Sequence, residues 1–177
     1  MFAIAMALGF AAPASDMQQM DEASIVAPHD AEDVAAIGQL MEDVYAVISG
    51  PAGQMRDWDA MRAMFTDDAR LYAIGPQGLR GGTLADYIET SGPFLIDNGF
   101  TEREIAHRLE LYGSLAQVWS SYEGTFTMDG EQRSIRGINS FQLMQDASGA
   151  WKVHSILWQQ ARPDLPLPID MNDEGGD

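Results

Sequence analysis

The sequence has no cysteine among its 177 residues, and this absence removes several kinds of chemistry at once. Disulfide bridges, thiolate nucleophiles and cysteine-ligated metal sites are excluded. The three histidines stand at irregular spacing without a carboxylate cluster beside them, which is not the pattern of a metal site. The sequence also lacks a phosphate-binding loop and a dinucleotide fingerprint. We therefore expect neither a metal nor a cofactor.

Basic residues are scarce: 10 Lys and Arg stand against 27 Asp and Glu, and the formal net charge is -17. A chain this acidic is repelled by nucleic acid and by anionic membrane surfaces, so neither is an expected partner. The sequence also lacks a run of roughly 20 apolar residues, the length that a stable membrane span requires. The length suits one domain with a sizeable core.

The N-terminus opens with a short apolar run, residues 1–14, that ends in Ala12-Pro13-Ala14. This pattern is typical of a secretory signal peptide and its cleavage site, and it predicts a periplasmic or secreted protein. A cytoplasmic location is the alternative, because the basic segment that usually opens a signal is missing and the first basic residue is Arg56. The sequence then predicts a linker over 15–29, a domain over 30–168 and a disordered acidic tail over 169–177.

Three helices are predicted before residue 100. Asp30, Asp57 and Thr83 each have the side chain of a helix N-cap. The first helix shows a periodic apolar stripe, which consists of Val34, Ile37, Leu40, Met41, Val44, Tyr45 and Ile48. Tyr45 is interpreted either as a core residue with a satisfied hydroxyl or as a donor that points into a cavity.

The segment from Thr101 to Gln160 is predicted to form four antiparallel strands. Apolar and polar residues alternate along it, and turn residues interrupt it at 113–114, 129–130 and 146–149. Asp129-Gly130 is a strong hairpin signal, because a type I′ turn needs positive φ at both central residues. Tight turns at these positions would fix how the strands pair.

This predicted register places His107 opposite Ser120, Ser120 opposite Asn139, and Asn139 opposite Ile156. The three polar residues would form a row on the apolar, helix-facing side, with Tyr122 nearby. Buried polar groups need partners, so the row would either satisfy itself or line a ligand cavity. The same register places Glu102, Glu104, Trp119, Trp151 and Leu157 on the outer face, and leaves the inner face without any Asp or Glu.

The order of elements resembles the nuclear transport factor two-like superfamily, in its SnoaL-like branch. The resemblance covers roughly 30–168 and is carried by short segments, namely 45–53, 56–59, 99–102, 136–140 and 151–158. It implies an α+β fold, a cone-shaped α+β barrel with three N-terminal helices packed on a strongly curved, mostly antiparallel sheet. The superfamily includes ketosteroid isomerase, polyketide cyclases, scytalone dehydratase and members that only bind a ligand. In the isomerase pattern, Tyr45 is similar in place to the tyrosine donor.

Two functions remain open from the sequence. The first is binding of a hydrophobic small molecule between helices and sheet, through Tyr45, Trp58, Ser120, Tyr122, Asn139 and Trp158. The second is a cofactor-free dehydratase, cyclase or isomerase that uses His107 with a carboxylate of the helical layer, either Asp57 or Asp86. His107 is otherwise a core histidine and Asp57 an N-cap. A homodimer through the outer sheet face is also expected, because Trp119, Ile138, Trp151 and Leu157 would supply apolar area there.

Overall fold

The computed structural model describes residues 31–173, in which three helices and six strands follow one another. Their bounds are α1 Ala31–Ile48, α2 Trp58–Met64, β1 Phe65–Gly75, β2 Gly78–Thr83, α3 Leu84–Asp97, β3 Thr101–Tyr112, β4 Leu115–Met128, β5 Glu131–Gln145 and β6 Trp151–Gln160. The predicted signal peptide and linker, and the capping role of Asp30, lie outside the described residues. None of the described helices is long and apolar enough to cross a membrane.

The strands form one six-stranded sheet in the order β2-β1-β6-β5-β4-β3. Strands β1 and β6 pair in parallel, and every other neighbouring pair is antiparallel. The three helices precede the long β3–β6 meander and pack on one side of it, which confirms the predicted α+β class. The sheet is not closed into a full barrel, because β2 and β3 remain edge strands.

The two tight turns of the meander are where the sequence places them. Tyr112 pairs with Leu115 and Met128 pairs with Glu131, so both hairpins have two-residue turns. Asp129 adopts φ 54° and Gly130 φ 79°, the left-handed geometry that a type I′ turn requires. As a consequence the β4–β5 ladder has the predicted register along its whole length.

Strand β3 contains one residue more than its predicted register allows. Glu104 pairs with Tyr122, whereas Ala106 pairs with Ser121, which leaves Ile105 without a partner in β4. The Ser121 hydroxyl bridges this bulge, since it accepts from the Ala106 N–H at 3.1 Å and donates to the Ala106 carbonyl at 3.2 Å. The bulge is therefore held by a side chain as well as by the ladder.

Because side chains alternate with a period of two, one extra residue moves everything before it to the opposite face. Glu102 pairs with Gly124 and Glu104 pairs with Tyr122, and both glutamates consequently face the helices. The prediction that Glu102 and Glu104 lie on the outer face is wrong. The prediction that the inner face carries no acidic residue is wrong for the same reason.

The pairing of β5 with β6 also differs from the prediction. Gln145 pairs with Trp151 instead of Ala150, and a further one-residue shift lies between Gln142 and Leu143. Asn139 therefore lies opposite Trp158, and the predicted pairing with Ile156 is wrong. Each one-residue shift moves the side chains of β6 to the opposite face, so two shifts cancel. Trp158 lies beyond both shifts and is therefore on the helix side, as predicted.

The part of β6 that begins at Trp151 carries only the first shift, so the Trp151 side chain points toward the helices. It is 6% exposed and belongs to the core, so its predicted place on the outer face is wrong. Its indole Nε1 donates to Asp33 Oδ1 of α1 at 2.9 Å, and the Gln145 amide donates to the same oxygen at 2.8 Å. The start of α1 is thereby fixed to the end of the β5–β6 hairpin.

The other end of α1 is fixed by Arg56, which is buried among carbonyl groups. Its guanidinium donates to the carbonyls of Ile48 at 2.9 Å, Gly50 at 2.7 Å and Leu95 at 2.8 Å. The last carbonyls of a helix lack partners within the helix, so one side chain here satisfies the ends of α1 and α3 together. This bond set holds the two helices that cover the inner face of the sheet.

The chain after β6 runs back over the sheet. A short 3₁₀ turn spans Ile169–Met171, and Met171 is 1% exposed. Asp170 forms an ion pair with Arg108, and Asp173 forms one with Arg103 at 2.8 Å. The segment 169–173, which the sequence assigns to a disordered tail, is thus anchored by one apolar side chain and by arginines of β3.

Candidate functional site

A cavity of about 180 Å³ lies between the helices and the inner face of the sheet. Its walls are mainly apolar, and they are formed by Val44, Ile48, Met61, Phe65, Leu71, Phe94, Leu95, Phe100, Ile135, Phe141 and Ile156. A cavity of roughly 150 Å³ can hold benzene, so this space suits a molecule with one or two rings. Polar groups enter the cavity from six side chains, namely Tyr45, Tyr87, Ser91, Glu102, Tyr122 and Asn139.

The structure brings four of the six predicted ligand-binding residues to this cavity. Tyr45, Tyr122, Asn139 and Trp158 line it. Ser120 has no exposed surface and does not line the cavity, because the Tyr45 hydroxyl is bonded to it at 2.7 Å. Trp58, the sixth, packs instead against α3, where Gly92 lacks the Cβ that would come within 3.2 Å of its ring.

Glu102 is the chemically important residue that the predicted register places on the wrong face. It reaches the inner face before the Ile105 bulge and lines the cavity. Asn139 Nδ2 donates to Glu102 Oε1 at 3.3 Å. Burial among apolar side chains raises the pKa of Glu102 to about 7, while the bond from Asn139 opposes that rise. Both the protonated and the ionised forms of this carboxyl group are therefore accessible near neutral pH.

A signal for this arrangement was present in the sequence. Without the bulge, Glu104 would stand opposite Glu123, and like charges directly across a ladder are unfavourable. With the bulge, Arg103 stands opposite Glu123 and donates to it at 2.7 Å. A test of every register for the sign of its charged pairs would have favoured the bulge and moved Glu102 inward.

A directed chain of hydrogen bonds leads from Asn139 to the edge of the sheet. Ser120 Oγ donates to Glu104 Oε1 at 2.5 Å, which uses the single hydroxyl proton of this serine. Ser120 must then accept from the Tyr45 hydroxyl, and Asn139 Nδ2 donates to that hydroxyl at 3.1 Å. The Tyr45 proton consequently points away from the cavity.

His107 ends this chain at the surface. It lies opposite Ser120, as predicted, and its Nδ1 is 2.8 Å from Glu104 Oε2. Its side chain is 43% exposed on the edge strand and does not line the cavity. Its carboxylate partner is Glu104 of its own strand, whereas the predicted partner Asp57 caps α2 by accepting from the Ala60 N–H at 2.9 Å. The structure does not bring His107 and Asp57 together.

Two cavity tyrosines keep their hydroxyl groups unbonded among the described residues. These are Tyr122 on β4 and Tyr87 on α3, and burial, followed by the nearby charge of Glu102, raises the pKa of both. Tyr122 lies across the next strand at Gly137, where any Cβ would come within 2.5 Å of the hydroxyl oxygen. The glycine thus makes room for a donor that a ligand can reach.

A metal site is not apparent among residues 31–173, which hold no group of three or more His, Asp or Glu residues arranged around one point. The acidic side chains of the cavity region are instead engaged by Asn139, Ser120 and His107. The chemistry that this arrangement can perform is proton transfer by Glu102, together with hydrogen-bond donation from a tyrosine.

No protein family model matches the chain, and no curated protein matches it. Solved structures do match. A hexachlorocyclohexane dehydrochlorinase from Novosphingobium barchaimii is similar with TM-score 0.60 and 15% identity, over 74% of this chain and 88% of that one. A candidate ketosteroid isomerase from Shewanella frigidimarina is similar with TM-score 0.55 and 17% identity, over 70% of this chain and 94% of that one. A nuclear transport factor two-like superfamily protein from Salmonella enterica is similar with TM-score 0.55 and 13% identity, over 77% and 90%.

Proposed function

We propose, from the premise that the chain has the nuclear transport factor two-like fold, that it binds a small, mainly apolar molecule in the inner cavity and moves a proton on it. Glu102 is the acid–base group. The observation that carries the proposal is a carboxyl group in an apolar cavity whose pKa is raised to about 7. A group with a pKa near the working pH can both take up and return a proton.

The geometry supports removal of a proton from a carbon atom. Oε1 of Glu102 accepts from Asn139, and Oε2 has no bonded partner among the described residues, so it is available as the base. In an isomerisation, Oε2 would take a proton from the carbon beside a carbonyl, and the electron pair would move onto the carbonyl oxygen. Return of the same proton to a different carbon then completes the reaction. In an elimination, the electron pair would instead form a double bond and expel a leaving group.

Tyr122 is the proposed donor to the developing oxyanion. The resemblance implies this role for Tyr45, but the Tyr45 proton is donated to Ser120 and its oxygen accepts from Asn139. The Tyr122 hydroxyl lines the same cavity without a bonded partner among residues 31–173. Donors aimed at a developing negative charge are among the larger contributions to enzymatic rate.

Binding without catalysis is the second candidate function, and the mainly apolar cavity wall favours it. The two functions differ in what happens to a bound ketone. An isomerase-like site exchanges the protons beside the carbonyl with solvent, whereas a binding site holds the ketone unchanged. His107 and Asp57 are no longer proposed as the reacting pair, because neither lines the cavity.

The test uses 1-tetralone, a two-ring ketone, in D₂O. We expect the wild-type protein to speed deuterium exchange beside the carbonyl, as followed by NMR, and Glu102→Gln to lose at least 100-fold of that rate. Tyr122→Phe should lose about tenfold or more. Asp57→Asn is the matched control outside the cavity and should retain the wild-type rate.

Two results would go against the proposal, the first against catalysis and the second against Glu102 as the base. If 1-tetralone shifts the NMR signals of the cavity residues but its protons exchange at the buffer rate, the protein binds without acting on this bond. If exchange is faster than in buffer and survives in Glu102→Gln, another group is the base.

A homodimer through the outer sheet face remains part of the proposal. Trp119 is 37% exposed and Leu157 is 40% exposed on that face, whereas Trp151 no longer contributes to it. Light scattering at tens of micromolar should give twice the mass of one chain, and Trp119→Asp should lower it. A wild-type mass of one chain would refute the dimer.

Export is likewise proposed from the sequence of residues 1–14. Expression with an added upstream basic segment, followed by N-terminal mass analysis of the periplasmic fraction, should give a chain that begins near Ser15. An intact Met1 in the cytoplasmic fraction would contradict it.

A further inference from the structure

One row of side chains crosses the entire inner face of the sheet. The corrected register pairs Asn139 with Trp158, Trp158 with Ala73, and Ala73 with Arg80. Together with the predicted part, the row runs from one edge strand to the other through Arg80, Ala73, Trp158, Asn139, Ser120 and His107. Arg80 and His107 are its two ends, and Trp158 and Asn139 at its middle line the cavity.

The Arg80 end of the row opens into a cleft between β2 and α3. The cleft is lined by Ala73, Arg80, Gly81, Asp86, Tyr87, Thr90, Ser91 and Trp158. Three of these residues, Tyr87, Ser91 and Trp158, also line the inner cavity, so the two spaces share a wall. Ala73 lies between Arg80 and Trp158 on the sheet, and its small side chain leaves space between those two larger ones. A ligand that passes this shared wall, where the Tyr87 and Trp158 rings meet edge to face, would extend from the cavity toward Arg80.

Arg80 differs from the other basic residues in having no bonded partner among the described residues. Seven of the other nine form ion pairs with acidic side chains or donate to the backbone at the surface, as Arg62, Arg70, Arg103, Arg108, Arg133, Lys152 and Arg162 do. Arg56 is bonded to buried carbonyls, and Arg136 to Glu123. A guanidinium without a partner is unexpected where acidic residues outnumber basic ones 27 to 10.

Asp86 lies in the same cleft but forms no hydrogen bond or ion pair with Arg80. Its Oδ2 accepts from the Thr83 N–H at 2.8 Å and from the Thr83 hydroxyl at 2.8 Å. These bonds lower the pKa of Asp86 and form a capping box at the start of α3, because the Thr83 hydroxyl also accepts from the Asp86 N–H. Asp86 thus has a structural partner, and Arg80 lines the cleft without a hydrogen bond or ion pair among the described residues.

We infer that Arg80 binds an anionic group of the ligand, and that the cavity and cleft together take a hydrophobic carboxylic acid. This inference rests on the proposed function of the cavity and names its ligand class. An arginine binds a carboxylate through two parallel N–H donors. A single exposed guanidinium matches one negative charge, whereas a phosphate dianion would need further donors. Two strand spacings, about 10 Å, separate Arg80 from Trp158, which is the reach of a ring with a short acid chain.

The test compares two probes of equal apolar size, 4-phenylbutanoate and its neutral amide, by calorimetric titration at pH 8. We expect the wild-type protein to bind the carboxylate about three- to tenfold more tightly, with a preference that shrinks as salt is added. Arg80→Gln should lose this preference and leave the affinity for the amide unchanged. Arg80→Lys should retain part of it, and Arg133→Gln, which removes an exposed arginine elsewhere, should retain all of it.

The outcomes separate this inference from the proposed function. If the amide binds and the carboxylate binds no better, or if the preference survives in Arg80→Gln, the role of Arg80 is overturned while the cavity remains a ligand site. If neither probe binds the wild-type protein, the cavity is not a site for such molecules and both proposals fail. Amide binding retained in Arg80→Gln would show that the cavity is intact, so a loss confined to the carboxylate cannot be due to a loss of the cavity.

Discussion

The helix-facing side and the outer side of the same sheet hold their polar groups in different ways. On the inner side, Tyr45, Ser120 and Asn139 are buried and joined by hydrogen bonds of 2.7 to 3.1 Å. On the outer side, Glu123 accepts from Arg103 and Arg136, and these side chains are 21% to 52% exposed. Exposed ion pairs contribute little each, whereas a buried polar group is costly to leave without a partner. Similar numbers of bonds therefore represent different amounts of stability.

The comparison also distinguishes the bonds that shape the candidate site from the bonds that only hold the C-terminal segment on the sheet. The inner bonds hold Asn139 against Glu102, so a change in them alters the proposed chemistry. The outer bonds hold residues 169–173 on the sheet, and their loss should leave the cavity intact. Substitutions on the two faces can test this division.

The largest effect is expected for Asn139→Leu. This change removes the N–H donors to the Tyr45 hydroxyl oxygen and to Glu102, so both of these oxygens lose the donor that they accept from. We expect a loss of about 3 kcal/mol in the free energy of unfolding, as measured by chemical denaturation. Gln132→Leu, at an exposed position of the same strand, is the control and should change it by less than about 0.5 kcal/mol. A loss below about 1 kcal/mol for Asn139→Leu would show that the inner row is not a stabilising network.

Glu102→Gln should make the protein more stable, and only above acidic pH. The pKa of Glu102 is about 7 in the folded protein against an ordinary 4.5. Between these values the folded protein holds a proton that the unfolded chain has lost, so wild-type stability falls as pH rises from 4.5 to 7 and stays lowered above. We expect the substitution to add about 2 kcal/mol to the free energy of unfolding at pH 8.5. A shift of one pKa unit corresponds to about 1.36 kcal/mol, and the expected gain is smaller than the whole shift would give because the residue retains some solvent contact.

At pH 4 the wild-type protein and Glu102→Gln should differ little in stability, because Glu102 is then mainly protonated in both the folded and the unfolded state. Glu110→Gln, at an exposed position of β3, is the matched control substitution. Equal stability of wild type and Glu102→Gln at pH 8.5 would mean that the carboxyl group is ionised without cost, and it would remove the basis for a near-neutral base.

Tyr45→Phe tests the middle of the inner chain with a smaller change. The loss of the hydroxyl leaves one Asn139 N–H without its acceptor while the ring packing stays the same. We expect a destabilisation of about 1.5 kcal/mol by thermal or chemical unfolding. Tyr112→Phe removes the same atom from a side chain that is 85% exposed and should have no measurable effect. If the two variants behave alike, the Tyr45 hydroxyl is not part of a cooperative chain.

The smallest effect is expected on the outer face, for Glu123→Gln. The change breaks ion pairs with Arg103 at 2.7 Å and Arg136 at 3.1 Å. We expect a loss below about 1 kcal/mol that becomes smaller as salt is added, because exposed charges are screened. A loss above about 2 kcal/mol, unaffected by salt, would erase the proposed difference between the two faces.

The parts of the fold that short-range chemistry determines could be predicted from the sequence. Asp129 and Gly130 force a two-residue turn, and every pairing between β4 and β5 follows from it. The pairing of Ser120 with Asn139 is correct for this reason, and the pairing of His107 with Ser120 follows in the same way from the turn between Tyr112 and Leu115. The inward turn of Trp151 could not be obtained in the same way, because it depends on a bond to Asp33 that spans most of the chain.

The site was less predictable than the fold, and for a related reason. Tyr45 and Tyr122 follow from periodicity, since both belong to apolar stripes. The face of Glu102 depends on one extra residue in β3, and local alternation at Ile105 looks the same with or without a bulge. The energetic reasons for the bulge are contacts across the ladder, such as Arg103 with Glu123 and Ser121 with Ala106.

The bulge at Ile105 has a consequence for the comparison of related sequences. A relative that lacks this one residue would keep two glutamates at the corresponding positions of an alignment, yet those side chains would face solvent. Insertion or deletion of a single residue can therefore create or abolish a buried acid–base group even though the type of every functional residue stays the same. In this chain, the one extra residue of β3 decides whether Glu102 faces the cavity or the solvent.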